Sequence, residues 1–263
     1  MKSEIALVQA EVSNHIGTIT LSNPGKRNCL SSSVINQVCS ALASMQKEEI
    51  RVVILRAPAG SQVFSAGHDI GELPTNGRDP LTYTDPLRYL VRTIEHFNAP
   101  VIAMVEGTVW GGACELVMSC DMIIAADDST FAITTTKLGV PYNMSGIQNF
   151  MNSGGMLLCK EMLFTSQPLG ARRLVDRGIV NYAIPRAQLE STTLSIARQI
   201  AQNSPLAISL LKEELRLLSA SHNLSPETFE RVQAMRREVY DSEDYQEGIR
   251  AFHEKRPPHF HGK

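Results

Sequence analysis

The chain has 263 residues, 43% of them hydrophobic and 20% charged. This excludes a mainly disordered, collagen-like or coiled-coil protein and leaves room for a large buried core. Its 25 Lys plus Arg against 27 Asp plus Glu give a formal charge of −2, which speaks against a dedicated nucleic-acid or membrane-surface binder. Cys29, Cys39, Cys114, Cys120 and Cys159 are odd in number and form no CxxC or Cys/His cluster, as expected of free thiols in a reducing cytoplasm.

Taken in chain order, the opening MKSEIALVQAEV carries Glu4 and Glu11 and no long apolar core, so no signal peptide is expected. Two alternating segments, Ile5–Val12 and Ile16–Leu21, predict a hairpin. From Ser31 to Met45 the apolar residues recur at helical spacing (Val34, Ile35, Val38, Leu42), with serines available as N-caps. The runs Val52–Leu55, Val101–Val105 and Met122–Ala126 predict buried strands, and Leu87–Phe97 predicts a helix ending before Pro100. Residues 57–85 are expected to form one long loop rich in Gly, Pro, Asp and Ser, the kind that carries function in a compact domain. A helix is expected to open on Gly111-Gly112 and run to about Cys120. The uncharged run Leu138–Cys159 contains Pro141 and several Asn and Gly, which make it a poor membrane span. Beyond Arg186 the pattern is helix after helix, clearest at Ala201–Ala220 and at Pro226–Tyr240, with Ser225 as the N-cap of the latter. Alternating strands and helices imply a mostly parallel sheet. The expected organisation is an α/β core over residues 1–185 followed by a helical region, 186–263, packed on the core or on a neighbouring subunit.

No GxxxxGK[ST], GxGxxG, HExxH or GxSxG motif occurs, so ATP, nicotinamide, zinc-protease and serine-hydrolase chemistry are not expected. Two glycine-bearing segments stand out. In Val63–Ile70, Gly67 permits an unusual backbone conformation beside His68, so that backbone N–H groups can be aimed at a ligand oxygen. In Glu106–Leu116, a helix opening on Gly-Gly exposes unsatisfied N–H groups at its positive end, where a developing oxyanion can sit.

In this order the segments resemble the enoyl-CoA hydratase/isomerase (crotonase) superfamily. Ala66-Gly67-His68-Asp69 matches its AGxD element, and Gly111, Gly112, Cys114, Glu115 and Leu116 its GGxCEL element. Lys26-Arg27-Asn28-Cys29-Leu30 is similar to its [KR]xNxL segment. Leu138-Gly139-Val140-Pro141 stands at its LGxxP loop, and Ser242 to Arg256 carries its S-D-EG-AF-EKR ending. The resemblance covers about residues 5 to 260. It implies a ββα spiral fold with a helical C-terminal trimerisation region, assembled as a homotrimer or a dimer of trimers, in a cytoplasmic protein. It also implies an acyl-CoA substrate and no metal or other cofactor, while the charge balance argues against a nucleic-acid or membrane partner. By the same resemblance the backbone N–H groups of His68 and Gly112 form an oxyanion hole. The acyl-CoA is expected to contact Lys26, Asn28, Ala66, Gly67, His68, Asp69, Ile70, Gly112, Thr134 and Lys255.

Members of the superfamily differ in their acid/base residues. Hydratases resemble one another in two glutamates, the first at Glu115 here and the second at the position of Thr135, which cannot serve as a carboxylate base. Decarboxylation of a malonyl- or methylmalonyl-CoA thioester needs no base to abstract a carbon proton, because loss of CO₂ creates the enolate directly. Tyr142 can orient the departing carboxylate as a neutral donor. The expected catalytic set is therefore His68, Gly112, Tyr142 and Glu115, the last as a proton relay or water anchor. The alternatives are an enoyl-CoA hydratase or isomerase using Glu115, and a non-catalytic or RNA-binding member.

Overall fold

The computed structural model describes residues 6–73, 83–219 and 226–261. In chain order its elements are β1 (Val8–Ser13), β2 (Ile16–Leu21), α1 (Ser32–Met45), β3 (Val52–Arg56), β4 (Val63–Ser65), α2 (Pro86–Glu95), β5 (Val101–Val105), β6 (Thr108–Trp110), α3 (Gly112–Met118), β7 (Met122–Ala126), β8 (Thr130–Ala132), α4 (Met144–Thr165), β9 (Leu169–Gly170), α5 (Ala171–Asp176), β10 (Tyr182–Ile184), α6 (Leu189–Gln202), α7 (Pro205–Ser219), α8 (Pro226–Asp241) and α9 (Glu243–His253). Short 3-10 turns cover Ile70–Glu72 and Thr135–Leu138.

The chain repeats one unit three times: a long strand in a first sheet, a short strand in a second, then a helix. These units are β3-β4-α2, β5-β6-α3 and β7-β8-α4. The first sheet runs β1-β2-β3-β5-β7-β10 and the second β4-β6-β8-β9. Pairing is parallel except for the β1–β2 hairpin and the β8–β9 edge. Each short strand lies parallel to the preceding one, so the loops that leave β4, β6 and β8 emerge on the same side.

The centre of the first sheet is buried on both faces, which is why strands β3, β5 and β7 read as unbroken apolar runs. On one face Val53, Leu55, Val101, Ala103, Val105, Ile123 and Ala125 join the main core with the helices. On the other, Val52, Ile54, Ile102, Met104, Ile124 and Ala126 pack under Leu189 and Ala197 of α6. Among the described residues no helix is long and apolar enough to cross a membrane.

Several expectations need correction. Residues 57–85 are not one loop: Val63–Ser65 is a strand, the 3-10 turn follows it, and residues 74–82 lie outside the described residues. Strands β6 and β8 span three residues each, too few for a period-2 pattern to register. The hairpin's first strand begins at Val8, and residues 1–5 lie outside the described residues. Helix α4 was hidden by glycines that mark its kink, where Gly155 takes φ 75° and ψ 166°. The helix expected over Ala201–Ala220 is two helices. Pro205 supplies no N–H to continue α6 and disfavours a helical Ser204, so α6 stops at Gln202 and α7 starts at the proline. Ser225 and Ala220 lie outside the described residues. Ser31 does cap α1, its hydroxyl accepting from Val34 N–H at 3.4 Å.

Helix α9 rests directly on the loop after β8. A Cβ at Gly248 would stand 2.2 Å from the Leu138 carbonyl oxygen and 2.9 Å from Leu138 Cα. Gly248→Ala therefore sets a helix-propensity gain of about 1 kcal/mol against a clash with backbone that no rotamer relieves. We expect the clash to dominate, with net destabilisation of about 2 kcal/mol, visible as a lowered Tm and faster proteolysis of the C-terminal helices. A raised Tm would show that α9 does not dock on this loop.

Candidate active site

A small apolar cavity of about 80 Å³ opens where the loops after β4, β6 and β8 meet. Ala66, His68 and Ile70 reach it from the first loop, and Gly111, Gly112 and Glu115 from the start of α3. Thr134, Thr135, Leu138, Val140 and Tyr142 line it from the third loop, with Leu87 of α2 closing one side.

The first two loops touch through backbone. Gly67 has φ +86°, a region open to glycine, and a Cβ there would lie 2.3 Å from the Trp110 carbonyl oxygen and 3.0 Å from Gly112 N. A Cβ at Gly112 would lie 3.4 Å from His68 N. The amides of His68 and Gly112 are thus neighbours. Gly112 is the first residue of α3, so its N–H has no partner within the helix. Gly111 enters the helix at φ 53°, ψ −122°, its own N–H donating to the Ala132 carbonyl at 2.8 Å.

The loop before Gly67 is braced from behind. Leu30 N–H donates to the Gly67 carbonyl at 2.7 Å, Ala66 N–H to the Arg27 carbonyl at 2.9 Å, and Gly67 N–H to Ser65 Oγ at 3.1 Å. Buried Asn28 donates through Nδ2 to the Phe64 carbonyl at 3.1 Å and accepts from Asn23 N–H at 2.9 Å. Asp69 caps the 3-10 turn by accepting from Gly71 N–H at 3.1 Å and pairs with exposed Lys26 at 3.2 Å. Lys26, Asn28, Gly67, Asp69 and Lys255 do not line the cavity. Lys255 stands exposed just past α9, its N–H donating to the Phe252 carbonyl at 3.2 Å.

Glu115 lines the cavity but is only 2% exposed, and both its oxygens are occupied. Arg88 of α2 donates to Oε1 at 2.5 Å and Asn143 Nδ2 to Oε2 at 2.8 Å. Burial pushes its pKa up, against the pull of Arg88 and Asn143. Asn143 is also the N-cap of α4, accepting from Gly146 N–H at 2.7 Å. Sequence reasoning missed Arg88 and the role of Asn143. The Asp85-Pro86 helix start and the Asn143 cap were legible locally, but nothing in the chain marks a partner 27 residues away.

Tyr142 is 8% exposed, with its ring edge-on to Phe150 at 5.6 Å. Burial, followed by the negative charge of Glu115, pushes its ionisation well above the usual range, so the phenol remains a hydrogen-bond donor. Its hydroxyl, Thr135 Oγ1 and His68 Nδ1 are buried without a hydrogen-bond partner among the described residues. A larger cleft, about 540 Å³, lies among Glu243, Glu247, Arg250, Arg256 and His259. Its lining is entirely charged or imidazole side chains, with Arg256 and Arg250 both paired to Glu247, and it offers no apolar side chain for an acyl group.

The family model for enoyl-CoA hydratase/isomerase matches residues 11–263. Methylmalonyl-CoA decarboxylase of Escherichia coli K12 is 51% identical over 249 residues, covering 95% of each chain. Human enoyl-CoA hydratase domain-containing protein 3, mitochondrial, is 32% identical over 267 residues, covering 98% of this chain and 84% of that one. Among solved structures, methylmalonyl-CoA decarboxylase complexed with 2S-carboxypropyl CoA superposes with a TM-score of 0.97 at 50% identity, covering 99% of this chain and all of that one. The same enzyme in complex with 2-nitronate-propionyl-CoA gives 0.96, also at 50% identity, covering 98% and 99%. With its spiral of ββα units, its paired loop amides and a family match spanning nearly its whole length, the chain belongs to the enoyl-CoA hydratase/isomerase family.

Proposed function

We propose that this protein decarboxylates methylmalonyl-CoA to propionyl-CoA, with malonyl-CoA as a smaller substrate giving acetyl-CoA. The observation that carries the reading is a pair of adjacent backbone amides, His68 and Gly112, facing an apolar cavity that also holds the unpartnered hydroxyl of Tyr142. The 51% identity to a methylmalonyl-CoA decarboxylase supports it.

The chemistry follows from that geometry. The two N–H groups donate to the thioester oxygen. The bond between the α-carbon and the carboxylate breaks, its electron pair enters the thioester as an enolate, and the amides stabilise the charge gathering on oxygen. CO₂ leaves and the α-carbon takes a proton. The carboxylate must stand perpendicular to the thioester plane for the bond to overlap the carbonyl π system. A neutral phenol can hold it there without the ground-state stabilisation that a lysine or arginine would add. No step calls for a metal or redox cofactor.

Glu115 is assigned a positioning role and not that of a base. Arg88 and Asn143 already hold its two oxygens, and through Asn143 it ties α3 to the loop that carries Tyr142. Thr135 lines the same cavity and offers no carboxylate, so the glutamate pair of a hydratase is not present. Exposed Lys26 and Lys255 are assigned to the CoA phosphates, with Ala66, Ile70 and Thr134 as cavity wall and Asn28, Gly67 and Asp69 as backbone supports. The exposed leucines of α7, among them Leu206, Leu210, Leu215 and Leu218, support subunit packing as a homotrimer or dimer of trimers. The five free thiols suit the cytoplasm.

Parallel incubations with methylmalonyl-CoA and crotonyl-CoA test the function. CO₂ and propionyl-CoA are expected from the first. Hydration of crotonyl-CoA without CO₂ release from methylmalonyl-CoA would overturn the reading.

Gly112→Pro removes one oxyanion donor and should lower turnover by about 10²- to 10³-fold in a protein that circular dichroism shows to be folded. His68→Ala keeps its backbone N–H and should be milder. Equal losses would mean that the imidazole takes part in the chemistry.

Tyr142→Phe should lower kcat on methylmalonyl-CoA while leaving the Kd for propionyl-CoA, which has no carboxylate, nearly unchanged. Because the phenol's ionisation lies well above its ordinary 10.0, the hydroxyl stays protonated across the neutral and mildly alkaline range. No loss of rate from Tyr142 is therefore expected as pH rises to about 10. An alkaline limb below that pH which disappears in Tyr142→Phe would contradict this assignment.

A further inference from the structure

Buried polar atoms are almost always hydrogen-bonded, and leaving one unpaired costs about 1–3 kcal/mol. Three such atoms belong to residues that line this one cavity: Tyr142 Oη, Thr135 Oγ1 and His68 Nδ1. Two of them are hydroxyls carried on one short segment, the 3-10 turn that begins at Thr135 and the loop that ends at Tyr142.

That segment is rigidly held. Val140 N–H donates back to the Thr135 carbonyl at 3.0 Å, fixing the first residue of the turn. Gly139, at φ +66°, lies against α9, where a Cβ would come 2.9 Å from the Asp244 carbonyl oxygen. Arg236 of α8 donates to the Tyr142 carbonyl at 2.9 Å, and Asn143 ties the far end to Glu115. Both hydroxyls therefore belong to cavity-lining residues on a braced backbone, and neither has a hydrogen-bond partner among the described residues.

Resting on the decarboxylase reading above, we propose that Thr135 is a second substrate-orienting residue, its hydroxyl holding the departing carboxylate together with Tyr142. A single hydrogen bond leaves the carboxylate free to swing about its bond to the α-carbon. Two donors anchored at different points of the backbone restrict that rotation and keep the breaking bond perpendicular to the thioester plane. Both donors are neutral, so the carboxylate gains direction without a counter-charge that would resist its departure as CO₂.

The test compares Thr135→Val, which keeps the shape and removes the hydroxyl, with Thr135→Ser, which keeps the hydroxyl. Thr135→Ala serves as a second hydroxyl-free variant should valine fail to fold. For the hydroxyl-free variant we expect kcat on methylmalonyl-CoA to fall by about tenfold or more, with the Kd for propionyl-CoA changed by less than about twofold and the rate recovered by serine. Undiminished kcat, a parallel loss of propionyl-CoA binding, or failure of serine to restore the rate would each overturn the proposal. Wild-type CO₂ release is measured first. Its absence overturns the decarboxylase reading and this proposal together, whereas CO₂ release undiminished in the hydroxyl-free variant overturns this proposal alone.

Discussion

The close approach of the Gly67 loop to the start of α3 is the constraint on which the site depends. No side chain fits between them: a Cβ at residue 67 would lie 2.3 Å from the Trp110 carbonyl oxygen. The parallel pairing of β4 with β6 brings the loops to that distance, and the left-handed backbone at Gly67 turns the chain sharply enough to place the His68 amide beside that of Gly112. Substituting either glycine thus affects the geometry of the site before it affects any contact with substrate. Much of the supporting structure behind the loop serves this contact. Asn28, buried and fully hydrogen-bonded, acts by bracing the strand that leads into it.

Around the paired amides, the distribution of charge favours loss of charge from the ligand. The cavity wall is apolar apart from hydroxyls, an imidazole, backbone amides and one carboxylate. That carboxylate, Glu115, is held by Arg88 at one oxygen and by Asn143 at the other. The Arg88 guanidinium is engaged with Glu115, and that of Arg236 with the Tyr142 carbonyl. On the proposed reading, a substrate carboxylate entering here meets neutral hydroxyl-bearing residues and no free counter-ion among the lining residues. This suits a reaction whose transition state moves negative charge from carboxylate to thioester oxygen, toward amides already in place.

The C-terminal helices belong to this arrangement. Helix α9 lies against Leu138 and Gly139 with glycine on each side of the contact, and Arg236 of α8 holds the carbonyl of Tyr142. The loop bearing the cavity hydroxyls is therefore fixed from two directions, by α3 through Glu115 and Asn143 and by the C-terminal region through Arg236. Loosening either support is a route by which residues outside the cavity can alter the chemistry.

Much of the fold was legible in the chain itself. Buried parallel strands announce themselves as apolar runs, and β3, β5 and β7 fall where those runs predict. Serine at the head of α1 and glycine at the head of α3 have local causes in capping and backbone freedom, and local causes are written in adjacent residues. The ordered motifs around Gly67, Gly112 and Leu138–Pro141 likewise carried the family resemblance. Three-residue strands, the break at Pro205 and the kink at Gly155 were missed, because their signals are too short or are masked by the surrounding composition. Only the tertiary structure showed that Glu115 is bound by Arg88 and Asn143, that Asn28 is a brace, and that the hydroxyls of Thr135 and Tyr142 share a cavity without protein partners. These facts depend on which side chains meet across 27 or more residues of chain, and on the solvent they exclude there. A linear pattern records the type of each residue but not the partner that determines what it can do.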